Sequence, residues 1–158
     1  MLLPYYLLAP AATVMASPTV YLIRHGEKPD DGGNGLSAQG VQRAQCLRSV
    51  FGKTATGGKR TRPYETVLPL AEDLGLTVDT SCDRDDPKCV KKAVEKYKGD
   101  GNILICWQHE ALTDIVKKLG AKDAPEYPND RFDLIWTDPS PYTKITETTS
   151  EQCPGLDS

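Results

Sequence analysis

The sequence predicts an α/β fold, a three-layer sandwich with a mainly parallel sheet and helices on both faces. Two observations carry this. Short β-branched and aromatic runs, such as TVYLIR (19–24) and NILICW (102–107), alternate with stretches whose apolar residues recur at helical spacing. Both runs stop abruptly in polar residues, and ligand sites of open α/β sheets gather at such strand ends. With 158 residues, 39% of them hydrophobic and 26% charged, the chain is long enough for one domain with its own core.

Residues 1–16 (MLLPYYLLAPAATVMA) are set apart as an N-terminal extension or a signal peptide. Val14-Met15-Ala16 resembles a signal-peptidase site. Against a signal stand the absence of Lys and Arg and the interruptions at Pro4 and Pro10, and Met15 would also serve as a start. The stretch is too short and too broken for a membrane span. Residues 17–158 form the domain.

Residues 19–24 read as a buried strand between Pro18 and the Gly-rich loop 26–35. In LSAQGVQRAQCLRSVFG, Val41, Ala44, Leu47 and Val50 fall on one helical face, with Ser37 as cap and Gly52 as terminator. FGKTATGGKRTR (51–62) carries no apolar run, GGKR reads as a turn, and no strand is expected there. PYETVLPLAEDL (63–74) is a helix started by Pro63 and kinked or broken at Pro69. LTVDT (76–80) reads as a strand after the Gly75 stop. DPKCVKKAVEKYKG is a helix with Asp86 as cap, Pro87 at its first position and Gly99 as terminator. NILICW is a strand, ALTDIVKKLG a helix closed by Gly120, and FDLIWT (132–137) the last strand. The Thr-, Ser- and Pro-rich tail is expected to be loosely ordered.

A formal net charge of −3 gives no electrostatic case for nucleic acid or an anionic membrane as partner. The basic run KKAVEKYK (91–98) reads as a solvated helix face, whereas GGKRTR (57–62) bears on chemistry. Five cysteines without a CxxC pair, beside only two histidines, argue against a zinc site. Cys106 reads as a buried small hydrophobe. Cys82 and Cys89 are spaced for a local disulfide if the protein is secreted. The compartment is expected to be the cytoplasm, or the exterior if residues 1–16 are a cleaved signal. The sequence leaves the oligomeric state open.

The two histidines, His25 and His109, both follow apolar strand-like runs, so two parallel strands would bring them to one rim of the sheet. RHGEKP followed by LSAQGVQRAQCL resembles the signature of the histidine phosphatase (phosphoglycerate mutase-like) superfamily. Arg24-His25-Gly26 matches the motif that ends its first strand, and Leu36 through Ala44 the segment that opens its first helix. Arg62 and Thr66 match a downstream Arg-x-x-x-Thr, and His109 its second histidine. The resemblance spans most of residues 19–137. It implies that His25 is the nucleophile of a phosphatase acting on phosphomonoesters or phosphohistidine through a phosphohistidine intermediate. A mutase is less expected, because this chain is shorter than the mutases of the family. The alternative is a catalytically weak or inactive phospho-ligand binding domain of the same fold.

The residue types suit that chemistry. Planar guanidinium groups of Arg24 and Arg62 would grip phosphoryl oxygens, and His109, when protonated, would add a third positive group. Backbone N–H groups around Gly26 could approach the phosphate closely. An uncharged imidazole is a competent nucleophile, and positioning plus charge stabilisation carry phosphoryl transfer, so no metal or cofactor is expected. For the proton donor, Glu110 is the first choice, with Asp83, Asp85, Asp86 and Glu27 as alternatives. The family normally places a strand before the phosphate-binding arginine. Its loss from the short 51–62 connection would misplace Arg62, and a shift of about 1 Å already costs roughly 100-fold in rate.

Overall fold

The structure, a computed structural model, describes residues 17–51, 56–57 and 61–157. In chain order the elements are β1 (Thr19–Arg24), α1 (Ala38–Val50), β2 (Thr56–Gly57), α2 (Thr61–Asp73), α3 (Pro87–Lys96), β3 (Ile103–Trp107), α4 (His109–Leu119), β4 (Leu134–Pro139) and β5 (Glu147–Ser150). The strands form one sheet in the order β2-β3-β1-β4-β5. β1 pairs in parallel with β3, from Val20 opposite Ile103 to Arg24 opposite Trp107. Both predicted histidine-bearing strands are therefore central neighbours that end at one rim.

Alternation along β1 divides the core. Val20 and Leu22 join Ile103, Ile105, Trp107, Val90 and Val94 of α3 and Leu112, Ile115 and Val116 of α4. Ile23 joins Leu104, Cys106, Leu47 of α1 and Val67 and Leu70 of α2. Each such side chain, fully buried, contributes roughly 1.5–3 kcal/mol of transfer free energy. Ser37 accepts the Gly40 N–H at 3.1 Å, and Asp86 accepts the Cys89 N–H at 3.0 Å. Each cap contributes about 1 kcal/mol. At the other end of α4, Gly120 caps the helix by donating its N–H to Val116.

The sheet is mixed, not mainly parallel: β4 runs antiparallel to β1, and β5 antiparallel to β4. After α4 descends from the rim, residues 121–133 climb back without regular structure, so β4 starts at the rim and runs down. Side-chain alternation does not encode strand direction, which is why the sequence left this unseen. The expected strand at 76–80 does not form, and Val78 is its only buried residue. The edge beside β3 belongs instead to β2, where Thr56 and Gly57 lie opposite Ile105 and Cys106. A two-residue strand thus stands where none was expected; Gly52 and most of the GGKR turn lie outside the described residues.

Three helix details also differ. α2 begins at Thr61, two residues before the expected Pro63, and continues past Pro69 to Asp73. α3 ends at Lys96, capped by Tyr97, before Gly99 is reached. In α1, Val41 is 51% exposed, and the buried face is Gly40, Arg43, Ala44 and Leu47. That is an i, i+3, i+4, i+7 face, displaced by the ion pairs that Arg43 makes. Gly40 belongs to it because a Cβ there would lie 2.5 Å from the Glu27 carbonyl oxygen.

The tail is ordered, not loose. β5 extends the sheet, Glu151 donates its N–H to Asp133 at 2.7 Å, and a Cys46–Cys153 disulfide fastens the segment to α1. A second disulfide joins Cys82 to Cys89, leaving Cys106 free and buried as expected. Thiol titration of the denatured, unreduced protein should therefore give one reactive thiol per chain, and five after reduction. A count above one before reduction would break one of these pairings. Among the described residues, no helix is long and apolar enough to cross a membrane.

Candidate active site

β1 and β3 carry the site. Beyond Arg24, His25 donates its backbone N–H to Trp107 at 3.0 Å, extending the ladder by one residue and fixing where the imidazole sits. His25 is 4% exposed, and its Nδ1 lies 2.7 Å from the Gly26 carbonyl oxygen. A carbonyl only accepts, so Nδ1 carries the proton and Nε2 keeps its lone pair. Burial lowers the His25 pKa to about 4; the Gly26 carbonyl opposes this, while Arg24, Arg62 and His109 reinforce it. The ring is neutral at pH 7.

Arg24 is 6% exposed. Its Nη1 donates to the carbonyls of Asn129 (2.7 Å) and Arg131 (2.9 Å), and its guanidinium lies 3.7 Å over the Phe132 ring. Among the described residues, Nε has no hydrogen-bond partner. Burial lowers the pKa of Arg24, opposed by Tyr127, Glu110, Glu27 and Asp130. One edge of this planar cation is thus fixed by backbone, and Arg24 belongs to the lining of the cavity described below.

Arg62 reaches the same cavity despite the short strand before it. Fully buried Thr66 donates its hydroxyl to the Arg62 carbonyl at 2.7 Å and accepts the Gly26 N–H at 2.9 Å. Glu65 accepts the Leu36 N–H at 3.0 Å. The first turn of α2 is thereby stitched directly to the loop that follows His25. The same contact corrects one expectation: the Gly26 N–H is committed to Thr66 and is not free for phosphate. The glycine answers a packing need, since a Cβ would come within 3.0 Å of Gly40.

His109 and Glu110 open α4, so the positive end of that helix faces the cavity with them. His109 Nδ1 lies 3.3 Å from a Glu110 carboxylate oxygen. The contact lacks hydrogen-bond geometry, since the same nitrogen has no hydrogen-bond partner among the described residues. The Glu110 side chain is 62% exposed. Burial raises its pKa, but its own backbone N–H, His109, Arg84 and Arg24 outweigh that and hold it below the usual carboxylate value.

Together Arg24, His25, Lys28, Arg62, Arg84, Gln108, His109 and Glu110 line a cavity of about 260 Å³. Four permanent cations face one carboxylate and the neutral His25 imidazole, an arrangement that can hold an anion beside an unprotonated ring nitrogen. Of the alternative acids, Glu27 is held by Arg43, whose Nη2 donates to it at 2.7 Å, and it does not line the cavity. Asp86 caps α3, Asp83 lies outside the lining, and Asp85 faces an adjoining cavity. Sequence reasoning missed Arg84 and Lys28. The signal for Arg84 was present in SCDRDDPKC, where a lone arginine stands between two pairable cysteines.

No protein-family model and no curated protein matches the sequence. Solved structures do match. A candidate phosphohistidine phosphatase, SixA, from Agrobacterium tumefaciens aligns over 85% of this chain and 98% of its own, with a TM-score of 0.59 and 10% identity. A protein described as mycobacterial hydrolase 1 aligns over 76% and 90%, with a TM-score of 0.57 and 14% identity. A phosphoglycerate mutase from Thermus thermophilus aligns over 84% and 98%, with a TM-score of 0.53 and 14% identity. At these identities the likeness is one of fold.

Proposed function

We propose that this chain, which has the histidine phosphatase fold, is a phosphatase for phosphomonoesters or phosphohistidine that works through a phosphohistidine on His25. The observation that carries the reading is a buried imidazole, neutral at pH 7, whose one unprotonated nitrogen shares a cavity with three arginines. The bound phosphoryl oxygens lie against Arg24 Nε, Arg62 and His109. His25 Nε2 attacks phosphorus, the bond to the leaving oxygen or nitrogen breaks, and the leaving atom takes a proton from the Glu110 carboxyl. Glu110, now a carboxylate, removes a proton from water. That water attacks the phosphohistidine, the P–N bond breaks, and inorganic phosphate leaves with His25 restored.

The neighbours of Glu110 hold its carboxyl below the usual value, whereas the proposed role needs an acid. A phosphate dianion entering the cavity changes this, because a nearby like charge favours the protonated carboxyl. Glu110→Gln should therefore slow hydrolysis of an alkyl phosphate by about 10²-fold or more. An aryl phosphate, whose leaving group needs no proton, should be slowed far less in the first step. Equal losses on both substrates would remove Glu110 from the acid's role.

The reading itself is tested by quenching the enzyme during turnover of a labelled aryl phosphate. An acid-labile, alkali-stable protein label supports it. Tight vanadate binding with neither label nor turnover would make the chain a phospho-ligand binding domain instead. The two disulfides favour an oxidising compartment over the cytoplasmic expectation.

A further inference from the structure

We infer that Arg84 is a third arginine ligand of the reacting phosphoryl group, and that the Cys82–Cys89 disulfide is the device that holds it there. The inference rests on the reading of the His25 cavity as a phosphoryl site. Arg84 lines that cavity, and its Nε is buried without a hydrogen-bond partner. The nearest carboxylate, Asp85, lies 3.3 Å away without hydrogen-bond geometry and is itself 85% exposed. An arginine whose buried Nε makes no hydrogen bond and meets only an exposed carboxylate, in a cavity shared with two other arginines, is an arrangement that an oxyanion completes.

The backbone beneath it is unusually constrained. The loop is closed by the disulfide seven residues apart, Asp86 donates its N–H back to Asp83, and the Trp107 indole N–H donates to the Arg84 carbonyl at 2.9 Å. Trp107 also accepts the His25 N–H, so one residue sets the position of both nucleophile and clamp. Ordering a rotamer-rich arginine on an open loop costs affinity, and a stapled loop reduces that cost before the ligand arrives.

The alternative role, gripping a second anion on the leaving group, is disfavoured by the adjoining cavity. That space of about 310 Å³ is shared through Arg84 and Glu110 and also lined by Asp85 and Asp114. Three carboxylates against one guanidinium repel a second anionic group, so the Arg84 charge acts on the phosphoryl in the His25 cavity.

The test is a vanadate titration by calorimetry on the full chain, with KM and kcat on an aryl phosphate. Arg84→Ala should weaken vanadate binding about tenfold or more, with Arg84→Lys in between because a lysine keeps the charge but not the fork. Cys82→Ser/Cys89→Ser should raise KM several-fold more than it lowers kcat. On an Arg84→Ala background the serine pair should change neither. Arg84→Ala binding vanadate within twofold of wild type overturns the inference. So does a serine pair whose effect is undiminished without Arg84, which would mean the disulfide acts on the fold alone. Should the serine pair not fold, the Arg84→Ala and Arg84→Lys titrations decide the ligand role and Trp107→Phe replaces the pair in the cycle. A wild-type chain that binds no vanadate would instead bring down the phosphatase reading.

Discussion

Replacing His25 by alanine is expected to abolish phosphoenzyme formation and to lower kcat on the order of 10⁴-fold or more, while inorganic phosphate still binds. Loss of a covalent nucleophile removes the reaction path, not one contribution to it. The groups proposed to bind the anion are separate residues on separate elements: Arg24 is fixed by the carbonyls of Asn129 and Arg131, and Arg62 by the Thr66 bridge. A variant that lost binding and turnover together would place His25 among the ligands of the phosphate instead. The pH profile adds a second check. The His25 pKa lies at about 4, first because of burial, so the nucleophile stays unprotonated well below the ordinary histidine value of 6.5. In kcat/KM the limb assigned to His25 should fall near pH 4. Loss of activity centred on pH 6.5 would contradict the buried geometry.

The parts of this site legible in the sequence were those written in local pattern. Apolar runs ending at His25 and His109 place both side chains on one rim, because parallel neighbours carry their ends to the same side. Arg62 was legible as a residue type, but its delivery was not. The sequence suggested that a missing strand would misplace it, whereas the hydroxyl of Thr66, four residues on, ties it to Gly26. Hydrogen bonds between residues 40 positions apart leave no trace in periodicity. Arg84 was hidden for a related reason: its loop reads as acidic, and its place in the cavity lining goes with contacts such as the one from the Trp107 indole, 23 residues on. The direction of β4 and the order of the tail rest on long-range pairing. The buried face of α1 was misjudged because a charged residue at its centre violates the pattern used to find it.

That residue, Arg43, carries the largest expected effect on stability. It is 2% exposed and donates to Glu27 (2.7 Å), Glu151 (2.8 Å) and Asp157 (2.8 Å), joining the loop after His25, α1 and the tail. Arg43→Met would leave these carboxylates buried without their partner. The expected loss is about 3–5 kcal/mol, out of a total of roughly 5–15. In a chain of this size that lowers Tm by roughly 10 °C. One cation cannot balance three anions, so the most buried of them, Glu151, keeps its proton. Burial raises its pKa to about 8 against the pull of Arg43, with Asp157 and Asp133 adding to the rise. In the unfolded chain the same group titrates near 4.5. Below that pH both states hold the proton; between 4.5 and 8 only the folded state does, so stability falls as pH rises, by up to about 1.4 kcal/mol per unit. Asp138, raised to about 6 by burial, acts in the same direction, and His25 in the opposite direction between about 4 and 6.5. The window from pH 6.5 to 8 therefore isolates Glu151. Urea denaturation across it should show declining stability in the wild type and a flat profile in Glu151→Gln, which keeps the shape and the contact with Arg43 but has no proton to lose. A wild-type profile already flat there would mean that Glu151 is ionised in the fold and that the cluster carries its full negative charge.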